Sequence, residues 1–285
     1  MSSRFSAHPS ATLRFCKTCE GVEAVVEPVA DGRARARRCP SCAASCSACD
    51  GRGYIYAMDA DGQVAAIPCA CQSLEERIRA YNLSGIPARY ANATLSGFEA
   101  ADNPSLVRAK NHMIRFVRDY APGRRGVLLT GSVGIGKTHL AAALVRDLCL
   151  AVGVRARLIE FSHLLSQIKA GYDAGRSESD TLGDLVDTPL LFVDELGKGL
   201  STEWQLTILD ELVSKRYNRG ATTCFTTNFP VEPPTASARR SREHFDVTTL
   251  EARVGARIFS RICEVCDIVS MTGEDYRRRH AHAQR

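Results

Sequence analysis

At 285 residues the chain is long enough for one sizeable core, or a core with a small appendage. Its 45% hydrophobic and 24% charged residues are the balance of a soluble globular protein, and a net charge of +5 permits a nucleic-acid partner without requiring one. No run of eighteen apolar residues exists and "MSSRFSAHPSATLRFC" lacks the apolar stretch of a secretory signal, so no membrane contact is expected; the expected compartment is the cytoplasm, whose reducing chemistry argues against a disulfide framework.

Three segments separate by composition: a cysteine-rich module over 1–75, a linker with an N-terminal helix over 76–103, and an α/β domain over 104–285. In the first, eight of the twelve cysteines follow a rule: C-x2-C-x19-C-x2-C, three residues, then C-x2-C-x19-C-x-C. Paired thiols at that separation are a zinc-ribbon spacing, because Zn²⁺ takes four thiolates in a tetrahedron and two short knuckles supply two each. The simplest assignment puts Cys16, Cys19, Cys39 and Cys42 around one Zn²⁺ and Cys46, Cys49, Cys69 and Cys71 around another. An interleaved arrangement, inner four together and outer four together, stays open. The segment has too little apolar sequence to fold alone, so metal is expected to substitute for a core. Its place ahead of a larger domain suggests a docking module; direct DNA contact through Arg33, Arg35, Arg37 and Arg38, or a purely structural role, are the rivals.

The second segment begins as a helix and breaks at Ser84-Gly85-Ile86-Pro87. From about 104 helical and strand patterns alternate, which predicts a parallel sheet with crossover helices. Strands are expected over 125–131, in "VRARLIEF", over 188–196 and over 221–228; helices over 137–153, in "SHLLSQIKAGY" with Ser162 as its cap, and in "TEWQLTILDELVSKRYNRG". "FPVEPPTASARRSREHF" reads as a mobile loop, and a helix near 248–262 and a strand near 265–271 close the domain. Cys149 and Cys224 read as small buried hydrophobes, and the Cys263–Cys266 pair has no second pair to complete a metal site.

"GSVGIGKT" (131–138) satisfies G-x-x-x-x-G-K-[ST] between a predicted strand and a predicted helix, the context that marks a P-loop. Gly131, Gly134 and Gly136 let backbone N–H groups converge on a phosphate at the helix N-terminus, with Ile135 and His139 in the same stretch among the nucleotide-contacting positions. Lys137 neutralises β and γ oxygens, and Thr138 offers its hydroxyl to Mg²⁺. "LLFVDE" (190–195) then delivers Asp194 to the Mg²⁺ shell and Glu195 to polarise a water, with Asn228 at a later strand end to orient it. No Asn-Lys-x-Asp guanine reader is present, so ATP hydrolysis is the expected chemistry.

That order resembles the AAA+ ATPases, and "NLSGIPARYANATLSGFE", "GSVGIGKTHLAAAL", "LLFVDELG", "TTNFP", "RVGARIFSRI" and "GEDYRRR" narrow the resemblance to the branch of the helicase loaders DnaC and DnaI and the transposition helper IstB. The resemblance implies a P-loop NTPase sheet flanked by helices behind the zinc-binding module. It implies a replicative helicase, or a transposase, as client of that module, and self-association with ATP at the subunit boundary. Arg261 would then act as an arginine finger on a neighbour's nucleotide, with Arg257 the competitor and Arg277 a contact within the same subunit. Single-stranded DNA would meet Lys169, Tyr172, Ser201, Thr202 and Trp204, although Trp204 reads equally as a helix-packing aromatic. A rival from another class is a zinc-dependent DNA-binding regulator that only senses ATP.

Overall fold

The computed structural model of the protein describes residues 16–42, 49, 54–58, 64–69, 72–100, 103–232 and 248–278. Of the loop expected over 229–245, residues 233–245 lie outside them. Among the described residues no helix is long and apolar enough to cross a membrane.

Two antiparallel hairpins come first, β1 (Ala24–Pro28) with β2 (Ala34–Arg38) and β3 (Tyr54–Met58) with β4 (Val64–Pro68). Each spans the interval between two cysteine pairs, which the sequence reading left without structure. Helix α1 (Gln72–Asn82) follows and straddles the 75/76 division drawn from composition. The larger domain then runs α2 (Pro104–Arg118), β5 (Gly126–Gly131), α3 (Lys137–Asp147), β6 (Ala156–Glu160), α4 (Phe161–Asp173), α5 (Glu178–Asp187), β7 (Leu190–Asp194), α6 (Glu203–Asn218), β8 (Thr222–Thr227), α7 (Leu250–Val254), α8 (Ala256–Val265) and β9 (Cys266–Met271).

The five long-domain strands form one parallel sheet in the order β6-β7-β8-β5-β9. Apolar clusters cover both faces, one built with α1, α2 and α3 and the other with α4, α5, α6 and α8. Strands β7 and β8 are buried at every position between two helical layers, β7 as an apolar run ending in Asp194 and β8 with four threonines beside Cys224 and Phe225.

Helix starts follow local chemistry. Asn103 accepts N–H groups of Ser105 and Leu106 ahead of Pro104, and Ser177/Asp180 and Thr202/Gln205 form capping boxes for α5 and α6. Ser162 is not a cap: α4 starts at Phe161, and the Ser162 hydroxyl donates to Glu160 at 2.5 Å. The helix expected over 137–153 is α3 followed by a π-turn over Leu148–Val152 that ends on Gly153 at φ 84°. Gly255, at φ 85°, divides the expected 248–262 helix into α7 and α8.

One buried cation locks α5 and α6 to the sheet. Arg216 is fully buried and donates to Thr223 Oγ1 at 2.8 Å and to the carbonyls of Leu185, Val186, Thr188 and Thr222 at 2.6–3.2 Å. Burial pulls its pKa down to about 10, and the carbonyls at the end of α5 supply the compensating negative dipole.

Candidate nucleotide site and cysteine cluster

The chain leaves β5 for the far edge at β6, works back through β7 and β8, and crosses to β9 on the other side of β5. In an open α/β sheet the ligand crevice opens outside the strand ends at such a reversal. The loop from β5 into α3 occupies that place. Gly134 and Gly136 hold φ of 81° and 96°, and a Cβ on them would meet Asp275 Oδ1 at 2.0 Å and the Phe98 ring at 2.6 Å. Both positions favour glycine by backbone conformation, and Gly136 also by its close approach to the Phe98 ring. A loop of this kind at a helix N-terminus presents N–H groups to an anion.

Lys137 is buried, its ammonium donating to Gly131 O at 2.8 Å and Ser132 O at 2.7 Å. Burial pushes its pKa down to about 8, against the pull of Asp194 and Glu195. Thr138 Oγ1 donates to Asp194 Oδ1 at 3.1 Å, and Thr226 Oγ1 donates to the same oxygen at 2.5 Å. Burial raises the Asp194 carboxyl while those two hydroxyls pull it back down. Glu195 follows at φ 56°, a left-handed conformation for a non-glycine residue, with its N–H on Thr226 Oγ1 at 2.9 Å and its carboxylate paired with Lys198. Asn228, just past β8, reaches the same cavity.

That cavity, about 380 Å³, is lined by the loop, Thr138, His139, Glu195, Asn228 and Arg277, and on its other wall by Arg89, Tyr90 and the 97–100 segment. His139 sits with its ring 5.6 Å from that of Phe98 and its Nε2 3.4 Å from Thr94 O; burial lowers its pKa, favouring the neutral ring. The Arg277 guanidinium stands 3.6 Å from Asp275 and its charge is felt at Lys137. Ile135 is buried beside Gly131. So the loop residues, Asp194, Glu195, Asn228, His139 and Arg277 share one place.

Arg261 does not line it. Its guanidinium donates to Asp210 Oδ1 at 3.0 Å and to the Ser214 hydroxyl, and lies over the Tyr217 ring. Arg257, one turn earlier, is 72% exposed and 3.8 Å from the same Asp210 oxygen. Sequence reasoning missed Thr226 and Phe98. The hydroxyl run in "CFTTN" beside an acid-tipped strand was the available signal for Thr226, whereas nothing local marks Phe98 as a cavity wall.

The sulfurs of Cys16, Cys19, Cys39 and Cys42 all lie within 4.8 Å of one another, with Cys16–Cys39 at 3.9 Å and Cys19–Cys42 at 3.5 Å. Four sulfurs about 2.3 Å from one ion would stand about 3.8 Å apart, so the set fits a tetrahedral metal. The hydrogen bond from Cys42 lowers the Cys16 thiol to about 6 and raises Cys42 in return. The contiguous assignment is therefore the one these four adopt, and the interleaved one does not describe them. Cys49 and Cys69 are buried, and Cys46 and Cys71 lie outside the described residues.

Among the arginines offered as DNA contacts, Arg35 pairs with Asp31, Arg37 with Glu27 and Arg38 with Glu75, which leaves little net charge on that hairpin. The other proposed DNA contacts do converge. Lys169 Nζ is 5.2 Å from the Trp204 ring, and Trp204 Nε1 and the Tyr172 hydroxyl both donate to Glu178 Oε1. Trp204 is also packed against the apolar cluster beneath, so the packing role holds for one side of its ring. Ser201 and Thr202 form the start of α6, their N–H groups on Gln205.

A protein similar to this chain is the replicative helicase loader DnaC of Escherichia coli strain K12, 27% identical over 158 residues, or 55% of this chain and 64% of DnaC; the chain thus spans less than two thirds of that relative's length. A crystal structure of the DnaC helicase loader superposes with a TM-score of 0.53 at 29% identity, covering 65% of this chain and 99% of that one. DnaI gives a TM-score of 0.51 at 25% identity, over 67% and 93% of the two chains. AMPPCP-bound DnaA from Aquifex aeolicus, 16% identical over 68% of this chain and 54% of its own with a TM-score of 0.51, shares the fold, which is the AAA+ arrangement. Residues 93–284, which carry the loop, both acids and α8, match the model of the IstB-like ATP binding protein family, and the chain belongs to that family.

Proposed function

We propose that the chain is an ATP-dependent loader of a replicative helicase that assembles on single-stranded DNA and hydrolyses ATP. The observation that carries this reading is the contact of Asp194 with Thr138 at 3.1 Å, where Thr138 and the adjacent Glu195 line one cavity at the switch point of the sheet. The 131–136 loop and Lys137 cradle the β- and γ-phosphates. Thr138 and Asp194 offer adjacent oxygens, the hard donors Mg²⁺ prefers, and would hold that ion, which when bound would offset phosphate charge. Glu195 accepts the proton of the attacking water, and Asn228 orients that water. Arg277 adds charge from the same chain, and Arg261 reaches the γ-phosphate held by a neighbour, for which it must leave Asp210. Lys169, Tyr172 and Trp204 form the DNA-facing surface.

Cys16, Cys19, Cys39 and Cys42 hold Zn²⁺, which suits four thiolates. Cys46, Cys49, Cys69 and Cys71 hold a second ion, and the module they build addresses the client. A helper of a transposase is the second reading; it rests on the resemblance to IstB, whose family of ATP binding proteins residues 93–284 match. Light scattering of the purified chain mixed with a replicative helicase, ATP and single-stranded DNA tests the choice. A loader forms an ATP-dependent complex with the helicase; absence of any such complex contradicts the loader reading.

A further inference from the structure

The first cysteine nodule is not a separate appendage. Ala24, Ala34 and Ala36 of its hairpin and Leu74, Ile78 and Tyr81 of α1 belong to the same buried cluster as Leu140 and Leu144 of α3 and as Phe98. Two lines of bonds lead from the cysteines to the two walls of the nucleotide cavity.

One runs along the edge of β2. The Asn82 side chain accepts the Ala36 N–H at 2.7 Å and donates to Ala36 O at 3.1 Å, and Arg35 donates to Asn82 O at 2.9 Å. The chain beyond Asn82 then pairs with the hairpin through Ala34 N–H to Ile86 O at 2.9 Å and Ala88 N–H to Gly32 O at 2.8 Å. It is fixed to β6 by Leu158 N–H to Ser84 O at 2.7 Å, where Gly85 at φ 81° leaves no room for a side chain. This strap continues as Arg89 and Tyr90 and on to Phe98, the wall of the cavity opposite the phosphate loop.

The other line goes through α1. Arg77 donates to Glu23 Oε2 at 3.0 Å, beside the cysteine knuckle, and to Leu150 O at 2.6 Å, in the turn that ends the helix begun by Lys137 and Thr138. The seam these lines cross is not a plain apolar contact. The Tyr81 hydroxyl, the Ser84 hydroxyl and Arg77 Nε are buried without a hydrogen-bond partner among the described residues, and each disfavours the docked arrangement. These unmet groups subtract from what the bonds and the shared apolar cluster contribute, so the order of the hairpin bears on how firmly the strap is held.

We propose that metal at Cys16, Cys19, Cys39 and Cys42 and nucleotide at the 131–138 loop are thermodynamically linked through this brace, each raising the affinity of the chain for the other. The proposal rests on reading the four cysteines as a zinc site and the loop as a nucleotide site. With the metal gone, the hairpin no longer anchors residues 82–98, and nucleotide binding must order that wall at its own cost. Linkage is reciprocal, so bound nucleotide must raise the affinity for the metal in the same ratio.

The test uses the full chain. Its affinity for a fluorescent ATP analogue is measured before and after treatment with a chelator selective for zinc over magnesium, and the partition of zinc between the chain and that chelator is measured at equilibrium with and without saturating ATP. We expect nucleotide affinity to fall about tenfold on stripping, within the usual range of coupling between sites, and the affinity for one zinc equivalent to rise about tenfold with ATP. The partition measurement stands even if the stripped chain unfolds. Arg77→Met and Asn82→Ala keep every cysteine; both are expected to retain zinc while the effect of ATP on its affinity shrinks. Equal zinc affinities with and without ATP in the unsubstituted chain, with zinc and ATP both bound, overturn the linkage alone. A chain that binds no zinc, or no nucleotide, overturns the underlying reading and the linkage with it.

Discussion

Lys137 is the residue whose protonation the nucleotide site depends on most. Burial among loop atoms brings it to about 8 before any phosphate arrives, and the charge of a bound triphosphate would raise it again. Binding therefore takes up a proton above pH 8, and the affinity present below that value is lost as pH rises through it. The loss is expected to approach tenfold per unit between pH 8 and 10, where the terminal phosphate is already fully ionised. Lys137→Arg should remove this slope, and Lys137→Ala should weaken binding by about 10- to 100-fold at pH 7, both read by titration with a fluorescent ATP analogue. A flat pH profile for the unsubstituted chain, or unchanged affinity in Lys137→Ala, contradicts the role. Lys137 and Thr138 were legible in the sequence because their chemistry is tied to fixed spacing from glycines. Thr226 was not, because its bond to Asp194 joins neighbouring strands, a pairing that spacing along the chain does not encode.

At the scale of elements, α6 and α8 carry the clearest tests. Arg216 of α6 is fully buried and donates to four carbonyls and a hydroxyl, so Arg216→Ala should leave those acceptors buried and unpaired. A loss above about 3 kcal/mol is expected in chemical denaturation followed by circular dichroism, and a loss under about 1 kcal/mol would contradict the lock. Helix α8 presents Arg257 and Arg261 one turn apart, both near Asp210. Arg261→Ala is expected to keep ATP affinity and lose DNA-stimulated hydrolysis, with Arg257→Ala the milder change; the reverse order moves the finger to Arg257. The parallel strands could be read in advance since an apolar run bounded by Gly or acid has few other uses. The hairpin β1–β2 could not, because arginine and alanine alternate in "ARARR" without an apolar face large enough to declare a strand; "YIYAM" and "VAAIP" of β3–β4 do carry an apolar signal, but the cysteine spacing presents that interval as a loop between knuckles. Helix α5 escaped notice as well, its "SESDTLGDLVD" looking like a polar connection until Leu182, Leu185 and Val186 are seen on one buried side.

For the whole molecule, α1 and the first hairpin share the core of the larger domain, so buried contacts cross the 75/76 boundary drawn from composition. Metal analysis of the full chain should find about two zinc ions, one for each set of four thiols; a folded chain without zinc would leave the cysteine spacing unexplained. The account as a whole stands on triphosphate hydrolysis at Glu195. Steady-state ATP turnover of the unsubstituted chain and of Glu195→Gln, each with Mg²⁺ and single-stranded DNA, measures it directly. The account predicts turnover in the first and, in the second, undiminished ATP affinity with a rate lower by about 100-fold or more. Equal rates in the two proteins, or none in either, would contradict it.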